Sequence, residues 1–192
     1  MARWRPDAPQ RLMAAALELF EERGYDHTTV QEITERAGLT KSAFFRHFAN
    51  KREVLFETDA LAAALVAGVD SAPAGVDAWT TLMSGIAGAG ETFMTAERHD
   101  LLARRAVVIA GTSELLEREA LKRIGLVAAL VEAMTARGVP HIEARVTCEI
   151  GALAFAIAYE RWLASTAGES FADLLGAAER EVRTAARRSA GS

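Results

Sequence analysis

Residues 28–48 read TTVQEITERAGLTKSAFFRHF, a stretch that predicts two short helices joined by a tight turn. Thr29 and Glu32 have the spacing of a capping box, in which a hydroxyl and a carboxylate satisfy backbone donors at a helix start. Gly38 follows where a tight turn needs a residue that can take positive φ. Thr40 can then cap another short helix, which we predict over residues 41–47.

The flanking segments extend this arrangement on both sides. Apolar residues recur at helical spacing over residues 12–20, and Gly24 then ends a first helix. Asn50 and Glu53 repeat the capping spacing, so a long apolar-rich helix is predicted over residues 53–69. The first fifty residues therefore predict three short helices, with a long fourth helix leading away from them.

The helix predicted at 41–47 has two chemically different faces when its residues are placed about 100° apart. One face contains Lys41, Ser42, Phe45 and Arg46. The other face is predicted to be the core face and contains Ala43, Phe44, His47 and, just beyond the helix, Phe48. Cations, a hydroxyl and an aromatic ring suit a helix in a DNA major groove, where they reach guanine edges, phosphates, sugars and thymine methyl groups. The alternative is an ordinary amphipathic surface helix with one exposed phenylalanine.

The charge distribution favours a nucleic-acid partner, although the whole chain carries a net charge of −4. Residues 36–52 contain five basic and no acidic side chains, whereas residues 53–192 contain 13 basic against 19 acidic side chains, a balance of −6. A short basic stretch in an otherwise acidic chain is typical of a localised phosphate-binding face. An ordinary solvated surface is the alternative explanation of the same charges.

The rest of the chain is also predicted to be helical, so the predicted fold class is all-α. Ala, Leu, Glu and Arg dominate, and β-branched residues do not form alternating runs. We predict helices near residues 77–96, 98–110, 113–137, 141–167 and 170–188. No stretch approaches the about 20 apolar residues of a membrane span, and the N-terminal residues lack the apolar segment of a secretory signal. The single cysteine, Cys148, excludes an internal disulfide and is predicted to pack in a helix as a small apolar residue. These features predict a cytoplasmic protein.

The stretch over residues 28–48, together with Lys51, resembles the DNA-binding domain of the tetracycline-repressor (TetR) family. The resemblance covers about residues 9–56 and implies a three-helix, homeodomain-like helix-turn-helix domain at 1–52, followed by a larger helical effector-binding and dimerisation domain at 53–192. It implies DNA contacts by Thr28, Thr29, Thr40, Lys41, Ser42, Phe45, Arg46, His47 and Lys51. Thr28, Thr29 and Lys51 would meet phosphates, whereas His47 would either touch the DNA backbone or pack internally.

One residue departs from the pattern of the family. Phe45 stands where the family often has a tyrosine whose hydroxyl bonds a phosphate. The departure removes one hydrogen bond of about 1 kcal/mol and leaves stacking and shape intact.

The resemblance further implies a homodimeric repressor that binds a palindromic operator and is released by a small, mostly apolar effector. The residues predicted to line an effector site are Trp79, Met83, Phe93, Met94, Arg104 and Arg105. The residues predicted to form a dimer interface are Ile150, Ala154, Ile157, Ala158, Leu174, Leu175, Ala178 and Val182. Both sets have a structural alternative, because a plain core or a helix pair within one chain would show the same stripes.

Two other classes of function remain open at this point. An enzyme would have to use Glu91, His99 and Asp100, which lack a ligand-pair spacing, and no nucleophile motif or Gly-rich phosphate loop is present. We therefore expect no metal, cofactor or membrane partner. A DNA-binding regulator without an effector, either constitutive or controlled by a protein partner, would have the same N-terminal domain. Arg3 and Arg5 would either reach DNA or form a free basic terminus.

Overall fold

The computed structural model describes residues 8–56, 60–165 and 168–190, which form helices and no strand. The predicted basic arm with Arg3 and Arg5 lies outside these residues. The helices are α1 (Ala8–Arg23), α2 (Val30–Arg36), α3 (Lys41–His47), a 3₁₀ helix (Lys51–Leu55), α4 (Ala60–Asp70), α5 (Ala78–Phe93), α6 (Ala96–Ala110), α7 (Ser113–Ala136), α8 (His141–Ala164) and α9 (Phe171–Ala190). The all-α fold is confirmed, and the five helices predicted beyond residue 77 are confirmed to within three residues at each end.

The chain divides into two compact units. Of the described residues, 8–56 and 101–121 form the first, here called the head unit, and 60–100 and 122–190 form the second, here called the body unit. The head unit thus contains the three N-terminal helices together with the end of α6 and the start of α7. None of the described helices combines the length and the apolar character that crossing a bilayer requires.

The core of the head unit is built from the apolar faces of α1, α2 and α3. Leu12, Ile33 and Phe44 are fully buried in this core. Ile109 from α6 and Leu115 from α7 belong to the same buried cluster. The α6–α7 segment therefore contributes to the hydrophobic core of the head unit, where burial of these two side chains removes apolar surface from water.

The predicted helix over residues 53–69 is wrong. Residues 51–55 form a 3₁₀ helix, Phe56 follows with an extended backbone (φ −102°, ψ 93°), and α4 comprises Ala60–Asp70. The predicted Asn50 cap is also absent, since the Asn50 side chain makes no capping hydrogen bond. Two long-range contacts explain the difference: the Phe56 side chain is buried in the head core, and the Glu53 carboxylate accepts bonds from Arg118 at 2.6 and 2.9 Å.

The core of the body unit depends on close approach at glycines. A Cβ at Gly68 of α4 would lie 2.7 Å from the Gly85 Cα of α5, closer than any real contact allows. A Cβ at Gly151 of α8 would clash with the Leu82 side chain of α5. Cys148 on α8 is fully buried, which confirms its predicted packing role, and burial raises the pKa of its thiol to about 11.

Gly68→Ala is expected to lower the free energy of unfolding of the body unit by about 1–3 kcal/mol, because the new methyl group overpacks the α4–α5 contact. Gly88→Ala is the matched control, because it is also in a helix but has no atom within 4 Å of an added Cβ. That control should raise stability by about 0.5–1 kcal/mol through helix propensity alone. Chemical denaturation of both variants measures the difference, and equal effects would contradict the glycine contact.

Candidate nucleic-acid interface

The α2–turn–α3 segment has the local structure that the sequence predicts. The Thr29 hydroxyl accepts from the Glu32 backbone N–H at 3.3 Å, and the Thr29 N–H donates to the Glu32 carboxylate at 2.9 Å, which confirms the capping box. Thr40 caps α3 by accepting from the Ala43 N–H at 3.2 Å. Gly38 takes φ +64° in the turn, and the Arg11 guanidinium donates to the preceding Ala37 carbonyl at 2.5 Å. These contacts fix the direction of α3 on the head core.

The structure confirms the two predicted faces of α3. Phe44 is fully buried and Phe48 nearly so, whereas Phe45 is 55% exposed. Lys41, Ser42 and Arg46 are exposed beside Phe45, and Ala43 and His47 are half-buried. The exposed face therefore combines two cations, a hydroxyl and an aromatic ring on one helix.

The cations of residues 36–52 differ in how they are engaged. The Arg36 guanidinium forms ion pairs with Glu22 at 2.9 Å and Glu18 at 3.0 Å, and its hydrogen bonds to these carboxylates raise its pKa further. Within residues 8–56, 60–165 and 168–190, Lys41 and Arg46 make no such bonds. These two side chains are therefore the ones available to an external anion.

Lys51 and Thr28 are engaged inside the head unit. The Lys51 ammonium donates to the Tyr25 carbonyl at 2.7 Å and the Thr28 carbonyl at 3.0 Å, and it lies 4.0 Å from the Tyr25 ring centroid. The Thr28 side chain is 1% exposed, and its hydroxyl donates to the Gly24 carbonyl at 2.9 Å. Both residues thus hold the α1–α2 connection in place, and the buried Thr28 hydroxyl is not presented to a phosphate.

Arg104 and Arg105, which we predicted as effector residues, are paired within the head unit instead. Arg104 forms a bidentate ion pair with Glu21 at 2.5 and 2.8 Å. Arg105 donates to the Leu55 carbonyl at 2.6 Å and contacts Glu119 at 3.3 Å. Both guanidinium groups fasten α6 to the head unit, so an effector role is not supported by their contacts.

A third contact fastens α7 to the head unit. The Tyr25 hydroxyl donates to the Glu114 carboxylate at 3.0 Å, and burial together with this bond raises the pKa of Tyr25. With the Glu53–Arg118 pair, these contacts form what we call the α6–α7 clamp: Glu21–Arg104, Leu55–Arg105, Tyr25–Glu114 and Glu53–Arg118. This clamp could not be predicted from the sequence, because its partners lie 50 or more residues apart.

The other predicted effector residues lie in the body unit. The Trp79 indole N–H donates to Glu179 at 2.7 Å, and the Phe93 ring lies 5.7 Å from the Arg98 guanidinium. Met83 and Met94 are buried. None of them lines the cleft that the structure shows in the body unit. That cleft is open, has a volume of about 260 Å³ and is lined by Ala74, Gly75, Val76, Thr81, Met134, Arg137 and Val139.

The structure corrects the predicted dimer interface. Five of its eight residues are buried within the chain and cannot form a surface for a second copy: Ala154, Ala158, Leu175, Ala178 and Val182. They belong to α8 and α9, which pack against each other and against α5 within the chain. Ile150, Ile157 and Leu174 remain partly exposed. The opposite side of α8, here called the outer α8 face, carries Ile142, Val146, Ile150, Leu153 and Ile157 at helical spacing, and three of these are more than half exposed.

His99, one of the residues considered for enzymatic chemistry, makes packing and hydrogen-bond contacts within the body unit. His99 Nε2 lies 2.9 Å from the Trp162 carbonyl, and its ring packs edge-on against the Trp162 indole. His99 Nδ1 is 3.6 Å from the exposed Asp100 carboxylate. Among the residues that the structure describes, no three His, Cys, Asp or Glu side chains are grouped as metal ligands. His99 thus joins the start of α6 to the end of α8.

Comparison with known proteins agrees with this geometry. Residues 12–58 match the profile of the family described as bacterial regulatory proteins, tetR family. The HTH-type transcriptional regulator TcmR of Streptomyces glaucescens is 46% identical over 66 residues, which are 34% of this chain and 29% of that protein. This sequence match therefore spans less than a third of the relative's length.

Two solved structures share the fold over almost the whole chain. SmeT in complex with triclosan, the repressor of a Stenotrophomonas maltophilia multidrug efflux pump, has a TM-score of 0.61 at 17% identity, covering 92% of this chain and 90% of that one. Thermus thermophilus FadR, a repressor in complex with lauroyl-CoA, has a TM-score of 0.55 at 24% identity, covering 91% and 92%. The N-terminal residues of this chain therefore contain the helix-turn-helix domain of the tetR family of bacterial regulatory proteins.

Proposed function

We propose that this chain is a homodimeric transcriptional repressor that binds a palindromic DNA operator through α3. The observation that carries the proposal is the exposed face of α3, where Lys41 and Arg46 have no described ion-pair partner and flank Ser42 and Phe45. Long cations of this kind reach guanine edges in a major groove, and a hydroxyl serves a base or a phosphate. Residues 1–52 then act as the DNA-binding domain, in the cytoplasm, where the DNA is.

Phosphate contacts would position α3 in the groove. Thr29 is exposed at the start of α2, where backbone N–H groups and the helix dipole favour an anion. Thr40 occupies the same position on α3. Lys51 and half-buried His47 would support the phosphate contacts of Thr29 and Thr40 by holding the head unit rigid. Two N–H groups of Lys51 donate to backbone carbonyls, so only its third N–H would reach a phosphate. These contacts carry register and affinity but no sequence information.

The outer α8 face supports dimerisation. Because α8 is apolar on the side that meets α5 and α9 and also on the outer side, it resembles a helix that is buried all round. Ile142, Val146 and Leu153 would otherwise expose a continuous apolar stripe to water. A second copy packed on this stripe by two-fold symmetry would bury it and pair two α3 helices for successive major grooves, about 34–36 Å apart.

Control by a small, mostly apolar effector is part of the proposal. Support comes from SmeT and FadR, which share the fold and whose structures contain triclosan and lauroyl-CoA. An effector bound in the C-terminal domain would act by preferring a conformation in which the two α3 helices no longer match the operator. The α6–α7 clamp supplies a rigid connection through which residues 101–121 and α3 would move together.

A second candidate is a regulator of the same DNA that has no effector. The close glycine contacts of the body unit favour it, since Gly68, Gly90 and Gly151 each lie against a neighbouring helix without spare volume. Native mass spectrometry and thermal-shift screening against apolar compounds separate the two. A bound compound that also lowers DNA affinity supports effector control, and a constant DNA affinity across the screen supports the second candidate.

Selection of bound duplexes from a random DNA pool tests the proposal. Full-length protein should recover a palindrome whose half-sites are about one helical turn apart. Recovery of nothing above background at low salt, with a folded dimer present, would contradict DNA binding by α3.

Arg46→Ala is expected to relax the preference for particular base pairs in the recovered sequence by about 1–3 kcal/mol, because a bidentate guanine contact is lost. Lys51→Ala is the comparison, and it should weaken binding to all duplexes about equally. Competition binding with matched and single-substituted duplexes measures both. A uniform loss in both variants would contradict the assignment of Arg46 as a reading residue.

A further inference from the structure

Phe45 is the large apolar side chain on a face that is otherwise polar. It is 55% exposed, while its neighbour Phe44 is fully buried in the head core. Phe45 gains only a partial contact from the fold of the head unit, because more than half of its side chain stays in water. Its ring is therefore available for a contact outside the chain.

The ring of Phe45 is also held in a defined direction. It packs edge-on against the Phe44 ring, with the two centroids 5.4 Å apart and the planes at 77°. Phe44 is fixed in the core, and the Thr40 cap fixes the first turn of α3. A side chain with few rotatable bonds and a packed neighbour loses little conformational freedom on binding.

The position of Phe45 on α3 directs it to the floor of a groove. At about 100° per residue, Lys41 and Arg46 bound an arc of about 140°, and Phe45 and Ser42 lie inside it. The residues inside such an arc point toward the base edges, whereas the long cations at its edges reach either the base edges or the phosphates of the groove walls. Phenylalanine has no hydroxyl or N–H, so it has no hydrogen bond to offer to a phosphate or a base.

The thymine 5-methyl group is the apolar group that unmodified DNA presents on the floor of its major groove. We propose that Phe45 reads thymine by packing its ring on this methyl group, and so acts as a specificity-determining residue. The inference rests on the proposed function, because it needs α3 in the major groove. The Phe45 contact would add a preference for thymine to the base preferences that Lys41 and Arg46 set.

The test removes one methyl group from the DNA and leaves the protein unchanged. Each thymine of the selected palindrome is replaced in turn by deoxyuridine, which differs only by the methyl group, and dissociation constants are measured with full-length protein. At one thymine per half-site we expect about a fourfold loss for one substitution and about fifteenfold for both, from the burial of one or two methyl groups.

Two variants identify Phe45 as the cause. Phe45→Ala should bind the thymine and deoxyuridine duplexes equally, because it cannot contact the methyl group. Ser42→Ala is the matched control on the same face and should keep the full deoxyuridine effect. Circular dichroism melting of both variants checks that the head unit is folded.

Several results would overturn the inference while leaving DNA binding intact. These are indifference to deoxyuridine at every position, a selected half-site without thymine, or an equal deoxyuridine effect in Phe45→Ala. An affinity loss in Phe45→Ala without any deoxyuridine effect would also overturn it, since the ring would then lie on a sugar. Failure to bind any duplex would reject the proposed function itself.

Discussion

Leu153→Glu is expected to convert the protein into a folded monomer that binds the selected palindrome about a hundredfold more weakly or worse. Leu153 is 51% exposed on the outer α8 face, so a glutamate there is solvated in the monomer. In a two-fold dimer the same substitution brings two unpaired carboxylates into an apolar contact, and burial of such charges costs several kcal/mol. Loss of the dimer removes the joint binding of two half-sites, so affinity falls with it.

Sedimentation velocity and DNA titration measure the two effects. Leu121→Glu is a matched control, because Leu121 is also a half-exposed leucine (52%) but belongs to α7 and not to α8. The control should remain a dimer with unchanged DNA affinity. A dimeric Leu153→Glu variant, or dissociation of Leu121→Glu, would contradict the assignment of the outer α8 face as the interface.

Phe44→Ala is expected to destabilise the head unit by about 3–5 kcal/mol and to abolish operator binding at physiological temperature. The side chain is fully buried and packs against Phe48 at 5.5 Å between ring centroids, so its removal leaves a cavity under α3. A loss of this size is a large part of the stability of a small domain. The adjacent Phe45→Ala should cost far less stability, because Phe45 is mostly in water.

Hydrogen exchange followed by mass spectrometry locates the effect. Peptides from residues 12–56 and 101–121 should exchange faster in Phe44→Ala, since both segments share the head core. Peptides from the body unit are expected to exchange at the wild-type rate. Equal protection of the head peptides in Phe44→Ala and Phe45→Ala would contradict the two-faced description of α3.

Features set by neighbouring residues could be predicted from the sequence. The capping box at Thr29 depends on a spacing of three residues, and the faces of α3 depend on the helical period. The turn at Gly38 could be predicted because glycine tolerates positive φ. These features depend on residues within one or two helical turns of each other, so their spacing in the sequence is enough to predict them.

Features set by distant residues could not be predicted. The break after Leu55 depends on the burial of Phe56 and on Glu53 bonding Arg118, which is 65 residues away. Arg104 was predicted to be an effector residue because local sequence cannot show that Glu21 is its partner. Periodicity also could not distinguish the two apolar sides of α8, so Ala154 and Ala158 were predicted at a dimer surface although they face α5 and α9.

In the proposed complex, two copies of the chain, joined at the outer α8 face, bind one palindrome with two α3 helices. Stoichiometry and affinity of full-length protein on the selected palindrome and on a duplex with one half-site test this arrangement. We expect two chains on each palindrome and an affinity for the single half-site that is lower by about two orders of magnitude or more. Binding of one chain to a single half-site with the full affinity of the palindrome would contradict it.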